Sequence, residues 1–147
     1  MKFLLMVLLT VFALTAFSQN RQASGSALFA GFPSTIDCKE FQLNKAFKAA
    51  KGEIVSLSLA GNLNLSGIVI TKLAKYHNLH TMIIRLTAFS NALFSLSMQT
   101  DQKGAQVYTG RILNPLYADG LALQRSKEGN YQFIKTDTDK IIVNCNQ

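Results

Sequence analysis

From Glu53 onward, apolar residues recur at every second position, and this alternation is the feature that most constrains the fold. A period of two is typical of strands that bury one face and expose the other. The alternating segments run over residues 55–59, 63–73, 81–87, 94–99, 105–113, 120–124, 131–135 and 140–144, and turn-forming residues separate them. The sequence therefore predicts about eight short antiparallel strands joined by tight turns.

A helical pattern precedes the strands and predicts a helix over residues 38–51. Asp37 and Glu40 have the spacing of a capping box, and Gly52 suits the left-handed stop that ends many helices. Apolar residues fall on one face of this segment at helical spacing: Ile36, Leu43, Ala46, Phe47 and Ala50. One N-terminal helix is therefore expected to pack against the strands.

The predicted fold class is mainly β (α+β), with the helix followed by about eight antiparallel strands. A single sheet cannot bury both faces of its strands unless it curls, so a small barrel is preferred over a sandwich. No repeat or linker divides residues 35–147, which are predicted to form one domain. Residues 19–34 are polar and are predicted to be a loose N-terminal segment, which Phe29 and Phe32 attach to the core.

The first eighteen residues have the three parts of a secretory signal peptide. Lys2 supplies the positive charge, residues 3–17 are almost wholly apolar, and Ala16 and Ser18 are small residues at the exit. The apolar run is shorter than the roughly 20 residues that span a bilayer. Cleavage is therefore predicted before Gln19, which gives a secreted or periplasmic protein with no transmembrane segment after the signal is removed.

Two cysteines, Cys38 and Cys145, lie near the two ends of the predicted domain. An even cysteine count in an exported chain predicts a disulfide, which would pin the helix start to the last strand. The alternative is a pair of buried free thiols, if the fold keeps the two residues apart. Neither cysteine has the spacing of a redox pair or of a zinc site.

The net charge is +7, and loss of Lys2 with the signal lowers it to +6. Such a charge favours contact with anionic surfaces, although it also serves simply to keep a protein soluble. Six lysines are candidates for a basic patch, against the alternative of a solvated face: Lys39, Lys45, Lys48, Lys51, Lys72 and Lys75. A nucleic acid partner is not expected, and a protein, the cell envelope or an apolar ligand remain open.

Candidate chemistry is sparse, and no cofactor, metal site or catalytic set is predicted. His77 and His80 are three residues apart at a turn, where they face different ways. Asp137 and Asp139 resemble a fragment of a calcium loop but lack its glycine and distal glutamate. A polar turn explains each pair without a metal.

One group of residues suggests a polar binding spot: Arg111, Tyr117 and Asp119. A carboxylate beside a guanidinium and a phenol can hold a polar ligand. Asp119 and Gly120 are also a common turn pair, which is the alternative explanation.

Several short motifs resemble those of uncharacterised secreted β-rich proteins of Bacteroidetes-type bacteria. They are residues 92–97, residues 108–112 with Tyr108, Gly110 and Arg111, and residues 117–121 with Asp119 and Gly120. Tyr131, Phe133 and Lys135 fit the same pattern. The resemblance implies a β-rich envelope or extracellular protein and supplies no catalytic residues.

The sequence as a whole favours a non-enzymatic binding module of unknown partner. Its apolar residues are explained by a core, and no nucleophile, base or metal ligand has evident supporting groups. The alternative is a small β-barrel that carries an apolar ligand in the manner of lipocalins. A filled barrel interior would argue against the carrier.

Overall fold

The computed structural model describes residues 25–138, and residues 1–24 and 139–147 lie outside that description. The described part is mostly β, with eight strands and one helix. In chain order they are β1 (Thr35–Cys38), α1 (Glu40–Lys48), β2 (Ile54–Ser58), β3 (Asn64–Tyr76), β4 (Leu79–Leu86), β5 (Leu93–Thr100), β6 (Gln106–Leu113), β7 (Asp119–Arg125) and β8 (Tyr131–Asp137). A short 3-10 turn, Ala60–Asn62, joins β2 to β3.

All eight strands belong to one antiparallel sheet in the order β1-β8-β7-β6-β5-β4-β3-β2. The sheet curls into a half-barrel whose edges are β1 and β2. The predicted mainly β class is therefore confirmed, and the strands form a single curled sheet rather than the two sheets of a sandwich. The first strand of the described chain pairs with the last, so the N-terminal strand completes the sheet.

The alternation of the sequence separates an inner face of the sheet from an outer face. Inward side chains on neighbouring strands are buried, including Leu57, Val69, Ile84, Phe94 and Phe133. Their neighbours in the chain point outward and are wholly or partly exposed. The hydrophobic core thus lies in the concavity of the half-barrel, where the curl brings opposite strands together.

Helix α1 packs against this inner face and contributes buried Leu43, Ala46 and Phe47. The Phe47 ring lies 6.1 Å from the Tyr108 ring of β6. The Nζ of Lys72, on β3, donates hydrogen bonds to the carbonyl oxygens of Phe47 at 2.7 Å and Ala49 at 2.8 Å. A lysine from a neighbouring strand therefore satisfies carbonyl groups that the helix end leaves without partners.

The predicted helix is confirmed with narrower bounds, but the predicted capping box is wrong. The N-cap is Lys39, and its side chain makes no capping hydrogen bond. Asp37 belongs to β1, where its Oδ1 accepts a hydrogen bond from Gln132 on β8 at 2.8 Å. Pairing with β8 therefore places Asp37 in the sheet, and ordered structure begins earlier than the sequence predicted.

Strands β2 to β8 match the seven predicted segments up to residue 135, and β1 was not predicted. The predicted eighth segment, residues 140–144, lies outside the described residues. A glycine inside a strand pattern predicts a bulge at Gly67. That prediction is wrong, because Gly67 pairs with Leu86 and the register of β3 against β4 shifts between Val69 and Thr71. A Cβ at Gly67 would instead run into the backbone carbonyl of Arg85 on β4, so the glycine permits close strand approach.

The described part of the N-terminal segment is anchored to the fold. The rings of Phe29, Phe32 and Phe89 form a cluster with centroid separations of 5.5 to 5.7 Å. The Asp119 carboxylate accepts hydrogen bonds from the backbone N–H groups of Leu28 at 2.6 Å and Phe29 at 2.9 Å. The predicted attachment of this segment to the core through Phe29 and Phe32 is confirmed.

Cys38 ends β1 as a buried free thiol. Burial raises the pKa of this thiol from its ordinary value of 9.0 to about 12. Cys145 lies outside the described residues, as does the predicted signal peptide, residues 1–18, so the Cys38–Cys145 disulfide stays a prediction. No helix in residues 25–138 is both long enough and apolar enough to cross a membrane.

Candidate binding surface

The strands β2 to β6 carry an unusual charge distribution. They are consecutive neighbours in the sheet and contain no Asp or Glu. Their charged residues are all cations: Lys72, Lys75, Arg85 and Arg111. Lys72 is bonded to the end of α1, whereas Arg85 and Arg111 are exposed on the outer face. All charged side chains on the outer face of these strands are therefore cations.

A shallow depression of about 270 Å³ lies on this outer face, between β5 and β6. The pairing register places Ser95 opposite Arg111 and Ser97 opposite Thr109. Ser97 also shares a hydrogen bond of 3.1 Å with Thr81 on β4. Three hydroxyl groups and one guanidinium thus line one depression, which we call the hydroxyl–arginine depression.

The Arg111 guanidinium has no hydrogen bond or ion pair with another residue in the described part of the chain, and the same holds for Arg85. An arginine offers five N–H donors in a rigid fork that matches carboxylate, phosphate and sulfate oxygens. The hydroxyls of Ser95 and Thr109 can donate to the same anion. The depression therefore has the hydrogen-bond donors that an anion needs. β2 to β6 contain no carboxylate that could compete with an anionic ligand for these donors.

A row of apolar side chains crosses the outer face beside the depression. The pairing register aligns five positions on β2 to β6: Ile54, Ile68, Arg85, Leu93 and Leu113. Three of them, Ile54, Ile68 and Leu93, are exposed large hydrophobic residues. Exposed apolar groups that adjoin one another often mark a contact surface.

The three residues of the predicted polar spot do not come together. Arg111 points outward from β6, and Asp119 is buried on the inner side of β7 with its carboxylate bound to two backbone N–H groups. The Tyr117 hydroxyl lies 3.0 Å from the Ser90 hydroxyl in a loop. Asp119 starts β7 instead of forming a turn with Gly120, so only Arg111 remains available to a ligand.

Two further clefts flank β1. A polar cleft of about 410 Å³ lies between the start of α1 and the β7–β8 turn, lined by residues such as Lys39, Glu40 and Glu128. A groove of about 370 Å³ lies between β1 and the end of β2. Near the first cleft, the pKa of Tyr108 is raised by burial, and the Glu40 charge adds to the effect. Three carboxylates and one cation line the polar cleft, so its charge does not favour an anion: Asp37, Glu40, Glu128 and Lys39.

The histidines and the exposed acids show no catalytic arrangement in the described chain. His77 lies in the exposed turn between β3 and β4, and His80 lies on β4. Asp101 uses one carboxylate oxygen to accept hydrogen bonds from the N–H groups of Lys103 and Ala105. No three His, Cys, Asp or Glu residues within 25–138 are grouped so that they can hold a metal ion. Asp139 lies outside that range.

Comparison with protein-family models, with curated proteins and with solved structures finds no match to this chain. The resemblance to secreted Bacteroidetes-type proteins therefore stays a prediction. A function must therefore be inferred mainly from the geometry of the outer face.

Sequence reasoning missed the hydroxyl–arginine depression, although one signal was visible. Residues 54–100 contain no acidic residue at all, which is unusual for a stretch of several exposed strands. The grouping of Ser95, Thr109 and Arg111 depends on the register between β5 and β6, which the sequence does not state directly.

Proposed function

We propose that this protein is a secreted or periplasmic, non-enzymatic binding module that recognises an anionic group of its partner. The unpaired Arg111 guanidinium among the hydroxyls of Ser95, Ser97 and Thr109 carries the proposal. A charge-assisted hydrogen bond from an arginine is about twice as strong as one between neutral groups. The adjoining apolar row would extend the contact to a larger partner.

The non-enzymatic part of the proposal rests on the hydrogen bonds and the burial of the side chains that could be reactive. Two acids that could support a histidine base, Asp101 and Asp119, are both bonded to backbone N–H groups. The Cys38 thiol is buried, and its raised pKa keeps it protonated at neutral pH. Because these side chains are bonded or buried, they support a binding function for the protein over a catalytic one.

The packing of the inner face weighs against the carrier of an apolar ligand. The Phe94 and Phe133 rings lie 5.6 Å apart across the concavity, and the Tyr108 and Tyr131 rings lie 5.8 Å apart. All four side chains are buried. Aromatic rings and α1 thus occupy the region where a lipocalin-like carrier would hold its ligand.

A titration with sodium sulfate, at constant ionic strength, tests the anion site. We expect the backbone amide NMR signals of Ser95, Ser97 and Thr109 to shift and to saturate. Arg111→Gln should weaken binding about tenfold or more, because a charged donor is lost. Lys127→Gln, in the exposed β7–β8 turn, is the matched control and should bind as the unaltered protein does. Shifts that persist unchanged in Arg111→Gln would contradict the proposal.

A further inference from the structure

The tip of the β3–β4 hairpin exposes an aromatic and an aliphatic side chain that nothing in the described chain covers. Tyr76 is 62% exposed and Leu73 is 61% exposed. The register pairs Tyr76 with Leu79 and Leu73 with Thr81, so Leu73, Tyr76 and Leu79 lie on the outer side of the hairpin. We call these three residues, with Lys75 and His77, the hairpin tip.

The hairpin tip extends beyond β2. β2 pairs with β3 only as far as Ile68, although β3 continues to Tyr76. The end of α1 lies on the inner side of the next part of β3, where Lys72, in register with buried Met82, bonds to the Phe47 and Ala49 carbonyl oxygens. The tip thus extends past β2 on one side, whereas on the other side β5 stays paired with β4 as far as Leu79.

Several lysines lie toward the same end of the sheet as the hairpin tip. Lys75 is exposed within it, and the contact between Lys72 and α1 brings Lys48 near β3. The Gly52 N–H donates to the Val69 carbonyl oxygen at 2.8 Å, which places the preceding Lys51 at the same end of the sheet. Four of the six lysines of the candidate basic patch therefore lie toward one end of the sheet: Lys48, Lys51, Lys72 and Lys75.

Two carboxylates, those of Glu53 and Asp101, lie toward this end of the sheet, and they lower its positive charge without cancelling that of four lysines. Glu53 accepts a hydrogen bond from the Ala50 N–H at 2.8 Å. Asp101, which follows Thr100, bonds to the N–H groups of its own turn, beside Lys103. Between Glu53 and Asp101 the sequence has no acidic residue.

We propose that the hairpin tip docks on an anionic phospholipid bilayer, with Leu73 and Tyr76 in the interfacial layer and the lysines at the headgroups. Tyrosine is enriched at membrane interfaces, and lysines near an anionic leaflet add attraction. A soluble polyanion would use the lysines but would gain little from Leu73. The combination of exposed apolar side chains and lysines at one end of the sheet therefore favours a lipid surface, and it is independent of the Arg111 site.

The chain contains no tryptophan, which allows a local test in the exported protein. Tyr76→Trp places a single fluorophore at the hairpin tip. We expect its emission to shift to the blue with vesicles of equimolar phosphatidylcholine and phosphatidylglycerol, and high salt should reverse the shift. Leu116→Trp is the matched control, since Leu116 is 78% exposed in the β6–β7 loop, away from the tip, and its emission should not change.

Cosedimentation with the same vesicles measures the contribution of each group. The double variant Leu73→Ser, Tyr76→Ser should reduce bound protein about tenfold or more. Lys75→Gln should reduce it about fivefold, and Leu116→Ser should have no effect. Arg111→Gln should also have no effect, which separates this proposal from the anion site.

Three results would overturn the proposal. The first is an unchanged emission of Tyr76→Trp with the anionic vesicles. The second is an equal shift with pure phosphatidylcholine vesicles, which would remove the role of charge. The third is an equal shift with heparin in solution, which would identify a soluble polyanion as the occupant.

Discussion

The inner and outer faces of the same sheet use their side chains in opposite ways. On the inner face, aromatic rings pack on each other, and the Tyr131 hydroxyl accepts a hydrogen bond from the Tyr108 N–H at 3.0 Å. No buried side-chain nitrogen or oxygen within residues 25–138 lacks a hydrogen-bond partner. On the outer face, the Arg85 and Arg111 guanidinium groups have no partner among the described residues. Folding thus engages the buried polar groups of the inner face and leaves these two guanidinium groups of the outer face without a partner among residues 25–138.

The largest test of this contrast compares two residues that are adjacent in the chain. Phe94 is buried on the inner face, and Leu93 is 40% exposed on the outer face. Phe94→Ala should lower the free energy of unfolding by about 3–5 kcal/mol, because it leaves a cavity beside Phe133. Leu93→Ala should lower it by less than about 1 kcal/mol. Urea unfolding measures both, and equal losses would contradict the assignment of the faces.

Crowding on the inner side of the strands gives a second test. Gly67→Ala forces a Cβ against the Arg85 carbonyl oxygen and the Ile84 side chain. We expect a loss of about 1–3 kcal/mol in the free energy of unfolding, since the backbone of β4 must move. Gly31→Ala is the matched control, because a Cβ there meets no atom within 4 Å. A Gly67→Ala protein as stable as the control would show that β3 and β4 can separate freely.

Two aspartates that differ in burial provide a third test. Asp119 is buried and holds the N–H groups of Leu28 and Phe29, whereas Asp37 is exposed and bonds to the Gln132 side chain. Asp119→Ala should cost about 2 kcal/mol, because two backbone donors lose their acceptor. Asp37→Ala should cost less than about 1 kcal/mol. Amide hydrogen exchange should also show faster exchange at Phe29 in Asp119→Ala only.

The parts of this fold that were predictable from the sequence are those governed by local periodicity. Strands β2 to β8 follow from residues that alternate within one segment, and α1 follows from its helical spacing. β1 was missed because its four residues become a strand only by pairing with β8, far along the chain. The same reason hid the roles of Lys72 and Asp119, whose partners lie on distant segments.

The candidate site was less predictable than the fold. Arg111 was singled out, but it was grouped with Asp119, which the alternation of β7 turns to the inner face. Ser95 and Thr109 looked like ordinary outward strand residues. Only the register of β5 against β6 brings them to Arg111, and a shift by one residue would have separated them.

At neutral pH the smallest effect is expected from the ionisation of Cys38, whose thiol belongs to the inner face. Burial raises its pKa from 9.0 to about 12, so the folded protein holds the thiol proton more strongly than the unfolded chain does. The stability that this contributes is complete below pH 9 and is lost progressively as the pH rises from 9 to 12. Urea unfolding of reduced protein should show this loss relative to Cys38→Ala, whose own pH dependence serves as the baseline.

The thiol reaction with iodoacetamide sharpens the same prediction. At pH 8 the native, reduced protein should react at Cys38 far more slowly than the urea-unfolded protein, because the thiolate is the reactive form and the site is buried. Equal rates would show that the end of β1 opens readily.

The predicted Cys38–Cys145 disulfide is tested separately. If it forms, peptide mapping of exported protein without reductant should find the two cysteine peptides linked. In that oxidised form Cys38 no longer titrates, and the loss of stability between pH 9 and 12 should disappear until reductant is added.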